Sequence, residues 1–461
     1  MSRARRVVWG TAGAVLSQLA CASPPSTTRT PEPARRARGV VLISIDTLRA
    51  DHVGAVRAGV ALTPAIDGLA REAIRFTDAL ANCTVTRSSH ASMLTGLYPW
   101  RHGIPDNSGS LRPGVTTLAE ALRARGVATG AVVSSYPLRE LARGFGTFHQ
   151  AFDHTEANRD EPVASPAAAT EAALGWLREH GRERYFLFVH YFPPHGPYNA
   201  PERFRLPELE APSGRLLPLS RLNYEQGAIP AYQKLGDERD PAIYRARYAA
   251  RVRFVDHHVG RLLEGLRALG LYDEAAILLT SDHGESLGER EWWFCHGNLT
   301  YREQSAVPLL LKLPGGARAR AAVDTPVQGV DLFPTVLALL GEPTAGGIDG
   351  VSLLEAAEGR LPKARVRFTQ SGDAEQLSVL QGPWKLTRVV ERPRYVEPGH
   401  PRRALYRLDR DPQELRDLAG ENPQVTAALE ALVGKSFTGF GPKPALDRES
   451  EERLRALGYV N

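Results

Sequence analysis

From Val40 onward, short apolar runs alternate with stretches whose apolar residues recur every three or four positions. The first run, Val40-Val41-Leu42-Ile43-Ser44-Ile45, stops at Asp46. Such a run reads as a buried parallel strand that delivers a carboxylate at its C-terminal end. Further strands are expected at Ala128–Ser134, Phe186–His190 and Ala276–Thr280, and helices at Ala65–Glu72 and Leu118–Arg125. A long helix is expected from Tyr244 to Leu269, where Val252, Val255, Val259, Leu262, Leu263 and Leu266 keep helical spacing. Asp331–Leu340 reads as another helix, ended by Gly341. Strands alternating with helices predict an α/β fold with a largely parallel sheet. Ligands gather at the C-terminal strand edge of such sheets, where Asp46 and the segment after Thr280 both fall.

From Arg365 the pattern changes. Short strand-like pieces at Arg365–Thr369, Trp384–Val390 and Ala404–Leu408 precede a polar turn and a terminal helix. The chain therefore divides into a leader at 1–22, a disordered linker at 23–39, a main α/β domain at 40–364 and a small antiparallel C-terminal subdomain with a terminal helix at 365–461. No internal repeat is visible.

Composition and charge narrow the class. With 461 residues, 43% of them hydrophobic, the chain can bury a large core. The formal net charge is +5. Residues 1–40 hold seven arginines against one acid, Glu32, a balance of +6 that leaves −1 on the rest. The body is close to neutral, so nucleic acid is not an expected partner. Arg3, Arg5 and Arg6 precede an apolar stretch from Val7 to Leu19 and the small residues Ala20-Cys21-Ala22, the order of an export signal. That stretch is too short to span a bilayer. Cys21 resembles a lipidated first residue, with Gln18 where an aliphatic residue is expected, so an envelope lipid anchor and soluble export both stand. An exported protein could pair the remaining Cys83 and Cys295 or leave them as buried thiols.

Three stretches carry candidate chemistry. Asp46 is a hard oxygen ligand at a strand end, though such residues also cap turns. Asp282 and His283 follow another apolar strand, with Gly284 permitting a tight backbone, and carboxylate beside imidazole suits zinc or manganese more than calcium. Thr86-Arg87-Ser88-Ser89-His90 opens a hydroxyl-rich stretch that reads equally as a helix start with Thr86 or Ser88 as N-cap. His180, His190, His257 and His258 have no convergent partner in sequence and read as structural or exposed. His52 and His102 flank the motifs without a role, and Trp292, Trp293 and Phe294 read mainly as core.

Taken in order, these stretches resemble the sulfatase family of the alkaline phosphatase superfamily. The resemblance rests on Ile45 to Asp51, Ser89 to His102, His190 to Tyr198, Thr280 to Glu289, Cys295-His296-Gly297, Val307-Pro308-Leu309, Asp331 to Thr335 and Leu405 to Pro412. It covers roughly residues 40–420 and implies an alkaline-phosphatase-like sandwich with a small C-terminal subdomain. Sulfatases carry a Cys or Ser, converted to formylglycine, at the head of a Cys-x-Pro-x-Arg motif. Here Thr86 stands at that position, nine residues before Thr95, with Ser88 and His90 at the Pro and Arg positions. Cys83 lies three residues too early, and its conversion is not expected. Thr47, His283 and Pro193 replace the family's second Asp, its Asn after the distal Asp, and the Asp of Asp-Pro-His.

These departures are similar to the branch with an unmodified Thr, which includes phosphoglycerol and phosphoethanolamine transferases and some phosphodiesterases. That resemblance implies one divalent ion held by Asp46, Thr86, Asp282 and His283, with zinc or manganese favoured and calcium or magnesium compatible. It implies contact of His195 and His296 with the transferring group or leaving oxygen, and His90 could orient Thr86. A formylglycine hydrate can expel sulfate by collapsing to the aldehyde, whereas a Thr ester needs a second in-line attack, which favours phosphorus over sulfur. The expected activity is hydrolysis of a phosphate, phosphonate or sulfate ester on a small molecule, glycan or lipid. The alternatives are an envelope phosphoglycerol- or phosphoethanolamine-type transferase, or a silent protein that binds anionic glycans. Substrate selection is expected from an insert around Pro201–Ala242.

Overall fold

The computed structural model describes residues 36–151, 166–344, 346–389 and 401–440, together with Arg448 and Glu452. The main sheet contains β1 (Gly39–Ile45), β2 (Ile74–Phe76), β3 (Ala128–Val133), β4 (Thr147–Gln150), β5 (Tyr185–Tyr191), β6 (Ala275–Ser281), β7 (Leu309–Lys312) and β8 (Ala322–Val323). Their spatial order is β8-β2-β7-β6-β1-β5-β3-β4. All neighbours are parallel except at β7, which runs against both β6 and β2.

The principal helices are α1 (Pro64–Glu72), α2 (Thr86–Thr95), α3 (Leu118–Arg123), α4 (Pro166–His180), α5 (Pro241–Ala268) and α6 (Leu332–Leu339). They cover the two faces of the sheet. Val41, Ile43 and Ile45 of β1 share one apolar core with Ile66 of α1, Leu177 of α4 and Val255 of α5. Val40 and Leu42 share the other with Met93 of α2, Leu122 of α3 and Val336 of α6. This is why β1 is apolar at successive positions instead of alternating. Helix α5 starts before the expected Tyr244 because Asp240 caps it, accepting the Ala242 N–H at 2.8 Å, with Pro241 at the first helical position.

Register then fixes where chemistry emerges. Ile45 pairs with Tyr191 of β5 and with Ser281 of β6. Asp46 and Asp282, the next residues of two adjacent parallel strands, therefore leave the sheet side by side.

A second sheet holds β9 (Arg367–Gln370), β10 (Gln376–Gln381), β11 (Trp384–Val389) and β12 (Arg403–Arg407), paired antiparallel in that order. Helix α7 (Pro423–Ser436) packs on it through Leu429 and Val433. Strand β10 has no counterpart among the sequence expectations. The described residues form one compact unit, and the small sheet shares its core with Tyr98, Trp100 and Val330 of the larger part.

The linker expected to reach residue 39 ends sooner. Ala37 N–H donates to Leu339 O at 3.0 Å, Arg38 N–H to Glu274 O at 3.1 Å, and Gly39 opens β1. A Cβ on Gly39 would lie 2.1 Å from the Tyr185 ring. The leader at 1–22 with Cys21, residues 23–35 of the linker, and Val390 lie outside the described residues. Among the described residues, no helix is long and apolar enough to cross a membrane.

A buried ion pair inside the small subdomain also reaches the larger part through the Thr300 carbonyl. Lys385 Nζ on β11 donates to Glu414 at 2.7 Å and to the Thr300 carbonyl at 2.6 Å, and both charged side chains are 1% exposed. Lys385→Met is expected to destabilise the protein by about 3–5 kcal/mol in urea unfolding, because it strands the buried Glu414 carboxylate. Lys385→Met/Glu414→Leu is expected to recover most of that loss.

Candidate active site

The strand ends are held by contacts that leave specific atoms over. Asp46 N–H donates to Tyr191 O at 2.9 Å. Asp282 Oδ1 accepts the backbone N–H of Thr47 at 3.1 Å and of His283 at 2.8 Å, which turns Oδ2 into the site. Thr47 has φ +55°, an uncommon conformation for a β-branched residue. The Tyr248 hydroxyl holds it there, donating to Thr47 O at 2.7 Å and accepting the Arg49 N–H at 3.1 Å. After His283 the chain presses against its neighbour, since a Cβ on Gly284 would meet the Glu303 carbonyl oxygen at 2.1 Å.

Helix α2 presents Thr86 at its first position. The N-cap is Val85, which offers no side-chain hydrogen bond, so neither Thr86 nor Ser88 caps this helix. Asn107 Oδ1 supplies the missing acceptor, taking the Arg87 N–H at 2.7 Å. Ser88 Oγ donates to Ile104 O and Ser89 Oγ to Asp282 O, each at 2.7 Å. The neighbouring hydroxyls thus fasten the first turn to the strand-end loops, whereas Thr86 Oγ1 is buried without a hydrogen-bond partner.

Five buried histidines surround this point. Their tautomers follow from their partners. His283 Nδ1 faces Gly284 O at 2.9 Å, His195 Nδ1 faces Gly196 O at 2.9 Å, and His296 Nδ1 faces Glu285 Oε1 at 3.1 Å. In each, Nε2 turns away from that acceptor. The His195 and His296 rings lie 4.9 Å apart, and those of His283 and His296 4.5 Å apart. His90 sits behind Thr86, with Nδ1 at 2.8 Å from Thr86 O and Nε2 at 2.8 Å from Ser44 Oγ. It holds the backbone of Thr86, not its hydroxyl.

His190 corrects a sequence expectation. It is fully buried, with Nε2 3.5 Å from Asp46 Oδ2. The Ser134 N–H meets its Nδ1 at 3.4 Å, which assigns the ring proton to Nε2, facing Asp46. Its partners lie on other strands, so nothing nearby in sequence announces them. Glu285, inside the Thr280-to-Glu289 stretch, is also fully buried at the site, and nothing in the sequence marks it apart from its neighbours.

Charge at the site is unbalanced. Burial raises Asp46 well above the ordinary carboxyl range, and the charges of Asp282 and Glu285 add to this. The Thr86 hydroxyl, alongside Asp46 without a well-formed hydrogen bond, works the other way. Burial also penalises ionised Asp282, but His283, His90 and the Thr47 and His283 N–H groups outweigh it and hold Asp282 low. Glu285 is pushed up to about 8, mainly by burial. Burial holds His195 and His296 well below the usual imidazole value, and each is lowered further by a neighbouring histidine.

These residues fit a divalent cation. Asp46, Asp282 and His283 each offer a ligand atom, all within 4.8 Å of one another. Both Asp46 oxygens, Asp282 Oδ2, His283 Nε2 and Thr86 Oγ1 are buried without hydrogen-bond partners. Buried groups of this kind are costly unless paired or coordinated. A second grouping of His90, His190 and Asp282 fits less well, because both His90 nitrogens are already engaged and His190 turns a proton inward.

The remaining candidates fall elsewhere. Cys83 and Cys295 are buried free thiols. Cys83 Sγ faces Ser371 O at 3.8 Å, and burial pushes it up to about 12. Trp292, Trp293 and Phe294 are buried. His102 pairs with Ser92, His52 with Asp51, and His180 with Glu183. His257 is exposed, and His258 is buried against Phe254.

Known proteins share this arrangement of chain. The sulfatase family profile matches residues 38–342, well over half of the sequence. The ulvan-active sulfatase of Formosa agariphila is 26% identical over 350 residues, covering 70% of this chain and 66% of that protein. The multifunctional alkaline phosphatase superfamily protein PehA of Trinickia caryophylli is 26% identical over 493 residues, covering 87% and 95%. Among solved structures, the phosphonate monoester hydrolase of Agrobacterium radiobacter superposes with a TM-score of 0.67 at 22% identity, covering 87% of this chain and 95% of that one. A protein solved with its substrate D-glucosamine-2-N,6-O-disulfate superposes at 0.70 with 20% identity, covering 87% and 97%. The α/β sandwich and the family profile agree: this chain belongs to the sulfatase family and is an ester hydrolase of the sulfate and phosphate ester class.

Proposed function

We propose that this enzyme hydrolyses phosphorus esters carrying a single negative charge, a phosphodiester or a phosphonate monoester, through a covalent ester on Thr86. One observation carries the reading. Thr86 Oγ1 lies unpartnered beside Asp46, among orphaned ligand atoms, while the neighbouring serines are tied down. Asp46, Thr86, Asp282 and His283 would hold one divalent cation, and two carboxylates with an imidazole suit zinc or manganese. Such an ion lowers the pKa of the alcohol and takes up charge on the transferring group.

The rest is work for the chain's own residues. Thr86 attacks in line as the ester oxygen leaves, with the inward Nε2 atoms of His195 and His296 placed to serve the group in flight. His90 fixes the Thr86 backbone, and His190 faces Asp46. Water then attacks the same centre in line and frees Thr86. A threonine ester cannot collapse to an aldehyde, which supports phosphorus over sulfur.

The charge balance supports a monoanion. Two ionised aspartates neutralise one dication, and the buried histidines are held neutral. Three buried arginines near the site are committed elsewhere. Arg49 binds Asp51 and Glu289, Arg87 binds the carbonyls of Pro137 and Gly109, and Arg251 those of His195 and Asn199. Among the described residues, no free cationic side chain remains here to offset substrate charge, so each added negative charge counts against binding and a monoanion is favoured over a dianionic phosphate monoester. The arginine-led leader at 1–22 supports export, with Cys21 either lipidated or removed.

Nitrophenyl esters of a phosphodiester, a phosphonate, a phosphate monoester and sulfate, assayed together with manganese or zinc, test the substrate reading. Faster turnover of sulfate than of both monoanionic phosphorus esters would overturn it. Thr86→Ala is expected to lower kcat by about 10⁴-fold or more, and full activity in that variant would remove Thr86 as nucleophile. Asp282→Ala is expected to lose the bound metal, read by elemental analysis, and EDTA should silence the wild type reversibly. In mass spectrometry the tryptic peptide holding Cys83 and Thr86 should show its unmodified mass.

A further inference from the structure

The insert around Pro201–Ala242 reaches the site through two tyrosines. Tyr232, in the short helical turn Ala231–Gln233, sets its ring 5.8 Å from that of His195. Its hydroxyl donates to Phe294 O at 3.1 Å. Tyr224, earlier in the insert, packs against the cluster of Trp292, Cys295 and Leu299. The Tyr224 hydroxyl lies 3.4 Å from where a Cβ on Gly297 would stand. The two tyrosines therefore meet the chain on either side of His296, at Phe294 and at Gly297. Both are half-buried, whereas His195 and His296 are 0% and 2% exposed. The tyrosines occupy the step between the buried histidines and solvent.

This arm of the chain is set before substrate arrives. Ser220 N–H donates to Ile229 O at 2.8 Å, Ile229 N–H to Pro218 O at 2.9 Å and Ala231 N–H to Leu222 O at 2.9 Å, which closes the loop on itself. Gly227 N–H donates to Glu291 O at 2.8 Å. Gln233 Nε2 shares the Phe294 carbonyl with Tyr232, at 3.0 Å. A Cβ on Gly196 would lie 2.2 Å from Gln233 Oε1, so the insert also presses on the loop that carries His195. With its hydroxyl committed, Tyr232 offers a substrate the face of its ring. A fixed aromatic face costs little entropy to use and gains most against another ring.

We propose that Tyr232, flanked by Tyr224, is a platform for the departing alcohol, and that this alcohol carries a ring with an uncharged face, an aryl group or a sugar. This rests on the reading that His195 and His296 border the departing oxygen. A group leaving past those histidines enters the half-buried layer that the tyrosines occupy. An open-chain alcohol such as glycerol or ethanolamine has no ring to lay on it. The platform therefore sets this site apart from one built to move such head groups.

The test uses the metal-loaded enzyme and methylphosphonate esters of three alcohols: benzyl alcohol, methyl glucoside through its primary hydroxyl, and glycerol through a primary hydroxyl. All three depart as primary alcohols, so differences among them report on the platform. At least one ring ester is expected to exceed the glycerol ester about ten-fold in kcat/KM. Tyr232→Ala should remove that advantage, mainly through KM, with the glycerol ester changed by no more than about two-fold. Tyr232→Phe should keep it, because Gln233 still holds the Phe294 carbonyl. An advantage for the benzyl ester identifies an aryl group, and one for the glucoside a sugar. No ring preference in the wild type, or an equal loss for all three esters in Tyr232→Ala, overturns the proposal and leaves Tyr232 as a brace for the His296 loop. If Tyr232→Ala does not fold, Tyr232→Leu, which fills the space without an aromatic face, is read in the same way. The comparison runs equally on sulfate esters of the three alcohols, and Thr86→Ala is scored separately. Failure of the phosphorus reading or of the nucleophile is thereby a different result from failure of the platform.

Discussion

Two like charges forced together in a dry place organise this protein. The parallel register of β1 against β6 delivers Asp46 and Asp282 as neighbours, both fully buried. Carboxylates so placed cannot both stay ionised without a counter-charge. Asp46 is driven up while Asp282 is held low by surrounding donors. The unpartnered oxygens, the inward nitrogen of His283 and the free hydroxyl of Thr86 are what a cation needs to relieve that conflict. The surrounding fold can be understood as the apparatus that keeps these atoms from finding any cheaper partner.

That apparatus works by occupation. The polar side chains that flank Thr86 on its own helix and behind it each have a task. Ser88 and Ser89 bind carbonyls, Asn107 caps the helix, and His90 bridges Ser44 and the Thr86 backbone. The buried arginines are satisfied by carbonyls and peripheral acids, so no permanent cation from Arg49, Arg87 or Arg251 neutralises the carboxylates. Thr47, in its left-handed conformation and pinned by Tyr248, shows the strain this arrangement tolerates.

Much of this was legible in the chain, for a physical reason. Strands buried on both faces must be continuously apolar, so Asp46 and Asp282 stand out as interruptions, and the resemblance to the sulfatase motif singled out Thr86 as the candidate. The structure brings Asp46, Thr86, Asp282, His283, His195 and His296 together and places His90 one layer behind. What escaped was polar structure whose partners lie far along the chain. His190 resembles an ordinary strand residue until β1 is laid beside it. Strand β10 was missed because Gln376 and Ser378 are buried polar residues, bound to Thr300 across the interface, and they blur the apolar signal. The cap of α2 could not be read locally because Asn107, a side chain twenty residues on, accepts the Arg87 N–H.

The small sheet carries a consequence of its own. Its residues hold the His296 loop through Gln376, Lys385 and the Gly372 N–H, and Gln370 pairs with the segment that leads into Thr86. The last strands to be synthesised therefore complete the geometry of groups encoded hundreds of residues earlier. A chain that lacks them has every reactive side chain but not the contacts that hold the His296 loop. The small sheet is thus part of the scaffold of the site and not an appendage to it.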